Sequence, residues 1–286
     1  MDERRTTENR IFIVALTVLI VMTVAVFAFC FLGGSDLFAG GNDTPTPDDS
    51  SVSTDGETTD SEQLSSIVAE VQGKMNNFQT LLDSPYLLPV DDATPLPEGY
   101  EVGELVALDG YEKMQLESVA AGKMNEFLAA AKKAGFAATV TAAYRSEKQQ
   151  EKAYNDAVQD FMNAGYPAET ARTMAASSVG AVNRSEHQLG FAVDFSKKEM
   201  TLLGNDGSTF EDFLSANMPK YGFILSYPAG GEDKTGHDAN TVHYRFVGVE
   251  PAEAMTREKW TLGEYRNYLQ TQLDYLKQYL QSLSKK

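Results

Sequence analysis

The sequence predicts an α+β domain, a small antiparallel sheet flanked by helices, preceded by one membrane-spanning helix and a disordered acidic linker. Three observations carry this reading. Residues 11–32 form a charge-free apolar run, a polar stretch without bases follows it, and beyond residue 63 short β-branched runs alternate with longer stretches of helical periodicity. The chain has 286 residues, enough for one sizeable domain after the N-terminal appendages.

The run from Ile11 to Leu32 reads IFIVALTVLIVMTVAVFAFCFL. Its length is about the ~20 apolar residues that an α-helix needs to cross the hydrocarbon layer. A cleaved secretory signal has a shorter apolar region of about 7–15 residues and a small-x-small site, and neither is present, so an uncleaved signal anchor is expected. Arg4, Arg5 and Arg10 precede the run, and no further base occurs before Lys74. Cations on one side set the orientation: residues 1–10 form a cytoplasmic tail, and the chain crosses the plasma membrane once with its globular part outside.

Residues 33–62 should be a disordered spacer. From Ser35 to Glu62 there are eight carboxylates and no base. Such a segment buries too little apolar area to offset its ordering entropy, and its charges repel one another. The net charge of −17 argues against nucleic acid or an anionic lipid surface as a partner. Cys30 is the only cysteine, which excludes an intramolecular disulfide framework, so the domain at 63–286 stands on packing, helped at most by a metal.

Within that domain Leu64, Ile67, Val68, Val71, Met75, Phe78, Leu81 and Leu82 recur at helical spacing, and the proline-pinned segment PYLLPVDDATPLPEGY ends the helix. A second helix is expected from Gln115 to Ala134, closed by Gly135. The run ATVTAAY, from Ala138 to Tyr144, reads as a strand. SEKQ at Ser146 to Gln149 has the capping-box pattern and opens a helix that ends near Gly165, after which Pro167 can open another. AVDFS, YGFILSYP and HYRFVG are further strand candidates. The capping-box pattern returns at Ser208 to Glu211 and at Thr261 to Glu264, the latter starting a helix with a leucine and tyrosine stripe.

The chain holds three histidines, His187, His237 and His243. His187 stands in SEHQLGFAVDF with Asp194 seven residues on, and His243 opens HYRFVG. Two imidazoles, a carboxylate and one open position suit catalytic zinc, although on the spacing alone a satisfied structural histidine is the better reading. TPLPEGY, AAYRSEKQQ, SEHQLGFAVDF, KYGFILSYP and HYRFVG, in this order, resemble the VanY-type D-alanyl-D-alanine carboxypeptidases of the LAS group of zinc metallopeptidases. The resemblance spans roughly Leu81 to Tyr268. It implies that His187, Asp194 and His243 bind Zn2+, that Arg145 and Ser185 face the substrate, and that Gln149 sits nearby. It also implies a substrate: a peptidoglycan stem peptide ending in D-Ala-D-Ala, on the cell-wall side of the membrane. An arginine's rigid fork is suited to holding the terminal carboxylate or a developing oxyanion.

One position departs from the family. There the last histidine lies in an E-P-W-H run whose glutamate is the general base, whereas this chain has Asn240-Thr241-Val242-His243. An amide cannot take up that proton, and loss of a general base typically costs a factor of ~10²–10⁴. Asp238, His237 and Glu232 lie in the same glycine-rich loop as surrogate candidates, Asp238 foremost, though each also reads as an exposed loop residue. The sequence therefore leaves two readings: a zinc carboxypeptidase with an altered base position, and a catalytically impaired or silent module that binds zinc and wall peptides as a sensor or scaffold.

Overall fold

The computed structural model describes residues 56–284. The expected membrane span at 11–32 and most of the acidic linker lie outside the described residues. Among the described residues, no helix is long and apolar enough to cross a membrane.

The first helix, α1, runs Gly56–Asp83, so it begins inside the segment expected to be a spacer. A hairpin follows, with β1 at Leu105–Leu108 and β2 at Tyr111–Glu117. This corrects the expected helix start at Gln115: helix α2 spans Ser118–Ala134, and residues 115–117 belong to the strand. The Glu117 carboxylate accepts hydrogen bonds from the Val119 and Ala120 amides, satisfying two of the donors that a helix start leaves unpaired. Strand β3 is only Val140–Ala142. Helices α3 (Glu147–Asn163) and α4 (Ala168–Val179) pack on each other. Strand β4 is Ala192–Phe195, α5 is Phe210–Asn217, β5 is Phe223–Tyr227, and the single turn α6 is Glu232–Thr235. Strand β6 is Asn240–Phe246, and α7 (Val249–Glu258) and α8 (Leu262–Leu283) complete the chain.

Two of the three expected capping boxes form as read, Ser146 with Gln149 and Thr261 with Glu264. The third is displaced by one residue. Thr209 caps α5 with Asp212, because the Ser208 hydroxyl is engaged by the Asp206 carboxylate.

Strands β3, β4, β6 and β5 form a four-stranded sheet in that order, antiparallel throughout. Its core side is aromatic. Phe127 of α2 is fully buried against Phe195 of β4, Phe213 of α5 and Tyr221, with ring centroids 5.7–5.8 Å apart. A fully buried ring such as Phe127 or Phe195 contributes about 1.5–3 kcal/mol of burial, so this layer holds the sheet rigid beneath the site. The register matters most for function: Ala192 pairs with Arg245, Val193 with Tyr244 and Asp194 with His243. Residues directly opposite on an antiparallel pair project from the same face with Cβ atoms about 4.5–5.5 Å apart. The two candidate ligands are thus brought together by the sheet itself.

Candidate metal centre and catalytic cavity

His187 lies in a 3-10 turn, Glu186–Leu189, whose four residues are all buried. Gly190 ends the turn at φ 82°, and a Cβ there would stand 2.5 Å from Val102 Cγ2. Glycine is therefore required both by the left-handed backbone and by the close approach. Two bonds tie this turn to the segment after β3: the Arg145 amide donates to the His187 carbonyl at 3.1 Å, and His187 Nδ1 donates to the Ala143 carbonyl at 2.7 Å. A carbonyl only accepts, so the proton of a neutral His187 ring sits on Nδ1 and Nε2 carries the lone pair. That Nε2 is 3.2 Å from Asp194 Oδ2.

His243 presents the other nitrogen. Its Nδ1 is 2.8 Å from Asp194 Oδ1, while its Nε2 is 3.0 Å from Glu186 Oε2. His187, Asp194 and His243 each offer one ligand atom, and the three atoms lie within 4.8 Å of one another. Behind them, Glu186 receives His243 on one oxygen and Arg245 Nη1 on the other at 2.8 Å. A carboxylate that receives the second nitrogen of a ligating histidine fixes its tautomer and orientation, as in many metal sites.

The electrostatics follow from this packing. Burial lowers His187, only partly offset by Asp194, so the ring stays neutral and able to coordinate. Burial also opposes a charged His243, but its hydrogen bonds to Asp194 and Glu186 overcome that and push it up to about 9. For Glu186 and Asp194, burial would raise the carboxyls. Arg245 and the His243 hydrogen bond hold Glu186 far below its ordinary range, and His187 with His243 does the same for Asp194. Metal binding at this cluster must therefore displace a proton from His243.

The three residues open into a cavity of about 110 Å³ that is also lined by Arg145, Ser185, Tyr227, His237 and Asn240. Arg145 Nη2 lies 3.8 Å from Asp194 Oδ2, and its side chain is one-fifth exposed. Burial lowers its pKa, with Asp194 counteracting. Ser185 is buried, and its hydroxyl caps no backbone group of the turn it precedes. Asn240 faces Tyr227 across the β5–β6 pairing, and its Oδ1 accepts the Val242 amide at 3.3 Å.

Two expected site residues sit elsewhere. Gln149 is exposed, its side chain spent on the capping box with Ser146. Its neighbour Gln150 is fully buried and accepts from Arg145 Nη1 at 3.3 Å, while donating to the Val179 and Gly180 carbonyls. One helical step turns a side chain by about 100°, enough to exchange the two roles. Asp238 is exposed and does not line the cavity. His237, by contrast, is 7% exposed rather than a surface loop residue. Glu186, Gln150, Tyr227 and Arg245 went unnoticed in the sequence. Of these, Arg245 and Tyr227 carried a readable signal, a charged and an aromatic residue inside apolar strands.

The family model VanY, D-alanyl-D-alanine carboxypeptidase, matches residues 113–249. A D-alanyl-D-alanine carboxypeptidase of Enterococcus faecalis is 30% identical over 181 residues, covering 63% of this chain and 65% of the relative, so the match spans just under two thirds of that relative's length. Among solved structures, VanYB in complex with D-alanine-D-alanine superposes with a TM-score of 0.57 at 28% identity, covering 64% of this chain and 98% of that one. A vancomycin-resistance D,D-pentapeptidase VanY in complex with Zn(II) gives the same score and identity over 64% and 99%.

Proposed function

Because residues 113–249 match the family model VanY, D-alanyl-D-alanine carboxypeptidase, we propose that this chain is a membrane-anchored zinc D,D-carboxypeptidase that acts on peptidoglycan stem peptides ending in D-Ala-D-Ala. The observation that carries the reading is the convergence of His187 Nε2, Asp194 and His243 Nδ1 in one cavity with Arg145. Two imidazoles and a carboxylate fit a catalytic zinc centre with one open position. Zinc held there would supply Lewis-acid chemistry, polarising the scissile carbonyl and acidifying a water.

The protein's own groups do the rest. Arg145, braced by Gln150, holds the terminal carboxylate of the peptide or the oxyanion that develops on the attacked carbonyl. Ser185, with its hydroxyl free of the turn, offers a hydrogen bond to the peptide. Glu186 keeps His243 turned so that Nδ1 faces the metal position. Asn240 stands where the family's E-P-W-H run has its glutamate. Its Oδ1 is engaged by the Val242 amide, so the side chain contributes an N–H donor and cannot take up a proton. The anchor at Ile11–Leu32 and the acidic spacer behind it would hold this domain on the wall side of the membrane.

The test is hydrolysis of a D-Ala-D-Ala-terminated peptide by the zinc-loaded full chain, with zinc content measured in parallel. His187→Ala should lose both zinc and activity. Asn240→Glu should raise turnover, by at most the ~10²–10⁴ that a positioned general base supplies where no other group already does that work. If the wild-type chain and Asn240→Glu both hold zinc and neither cleaves the peptide, the peptidase reading fails and a silent zinc and wall-peptide binding module replaces it.

A further inference from the structure

Hydrolysis needs a group that takes a proton from the attacking water, and most candidates around the cavity are already committed. Asn240 has no basic lone pair. Glu186 is locked between His243 and Arg245, and Asp238 is exposed and does not line the cavity. Burial, with Glu186 adding to it, raises the Tyr227 phenol well above its ordinary range, so it stays protonated.

His237 differs from all of these. It lines the cavity and is 7% exposed. Its Nδ1 lies 3.1 Å from the Ser177 carbonyl, which can only accept, so in the neutral ring the proton is on Nδ1. The lone pair is then on Nε2, and this buried atom has no hydrogen-bond partner among the described residues. Buried polar groups are almost always satisfied, and an exception in a cavity requires a reason. The ring is also held firmly. Its face packs on Tyr227 at 4.5 Å, and Tyr227 stacks in turn on the ligand His243 at 4.9 Å. The next amide, of Asp238, donates to the same Ser177 carbonyl at 3.1 Å, pinning the loop to the end of α4.

We propose that His237 is the general base of this chain, with Nε2 doing the work that the glutamate of the E-P-W-H run does in the family. The assignment rests on the peptidase reading above and deepens it. As the water oxygen bonds to the scissile carbonyl carbon, its proton passes to Nε2 through one further water. When the C–N bond breaks, the same proton passes from Nε2 to the departing nitrogen. The products are the shortened peptide with a free carboxyl group and D-alanine as the free amine, and the histidine returns to its neutral form.

The test uses the zinc-loaded full chain and a D-Ala-D-Ala-terminated peptide. His237→Asn retains a side-chain N–H where Nδ1 meets Ser177 and removes Nε2. It should lower kcat by ~10²–10⁴ while leaving KM, zinc content and thermal stability near wild type. Added imidazole should partly restore turnover to His237→Ala, which a purely structural role would not allow. An independent readout needs no turnover. With only three histidines in the chain, nitrogen-15 imidazole spectra of the full chain in detergent should show His237 protonated at Nδ1 and bare at Nε2, its signal identified by its absence in His237→Asn. A proton on Nε2 of the neutral ring overturns the proposal, as does a folded His237→Asn protein with wild-type kcat. The second result leaves the peptidase reading standing, whereas a wild-type chain and an Asn240→Glu variant that both hold zinc and cleave nothing remove both.

Discussion

Glu186→Gln should weaken the fold and the metal centre together, by amounts that can be separated. Glu186 is 5% exposed and Arg245 is fully buried. Among the described residues, their 2.8 Å contact is the guanidinium's only carboxylate contact, since the remaining Arg245 bonds go to the Tyr86 and Leu88 carbonyls and its Nε has no partner there. Removing one member of a buried ion pair costs about 3–5 kcal/mol, because the other charge is stranded. Glutamine keeps one acceptor for it, so the lower end of that range is expected. The same change weakens the acceptor that orients His243, and loss of such a partner costs 10–100-fold in metal affinity, or about 1.4–2.7 kcal/mol. Urea unfolding of the metal-stripped protein measures the first quantity, and zinc competition against a chromophoric chelator the second. Arg245→Met added to Glu186→Gln should recover part of the stability, since it removes the stranded charge, giving a coupling energy of about 0.5–3 kcal/mol. A single substitution that costs under about 0.5 kcal/mol, or a double one that costs the plain sum, would refute the view that Glu186 and Arg245 stabilise the turn as a pair.

The metal-stripped protein should lose stability on the alkaline side. His243 is raised to about 9, so its contribution is complete below its ordinary value of about 6.5 and disappears as pH rises through 9. A urea midpoint unchanged between pH 6.5 and 9 would contradict the cluster's charge state. In intact cells, added protease should cut between Ser35 and Gly56 and release the folded domain, and protection until the membrane is opened would reverse the proposed orientation.

How far the sequence disclosed this site depends on which interactions were local. The capping boxes at Ser146 and Thr261 were legible because a cap is satisfied within four residues. The third box sits one residue beyond its pattern because Asp206, two residues upstream, competes for the Ser208 hydroxyl. The β1–β2 hairpin carried a usable signal, the Asp109-Gly110 pair with Gly110 at φ 80°, but its strands are mostly half-exposed and lack the apolar alternation that marks a strand. Of the candidate ligands, His187 and His243 stood out because the chain has three histidines, and Asp194 through its place in the SEHQLGFAVDF motif. Their partners did not. A glutamate at 186 and an arginine at 245 look like surface charges until β4 and β6 are paired, and a histidine in a glycine-rich loop looks solvated until the loop is pinned to Ser177.

That dependence on pairing has a physical consequence. Asp194 and His243 are adjacent because they are register partners, and with Ala192 opposite Arg245 the same register brings the buried guanidinium to Glu186. A slip of one residue would send every side chain of a strand to the opposite face. It would bury Asp194 among the phenylalanines under the sheet and strand Arg245 without a counter-ion. The ion pair between Glu186 and Arg245 therefore acts as a register lock: it is satisfied only in the pairing that also assembles the ligands. Selection for a working metal centre and selection for a uniquely paired sheet then act on the same residues.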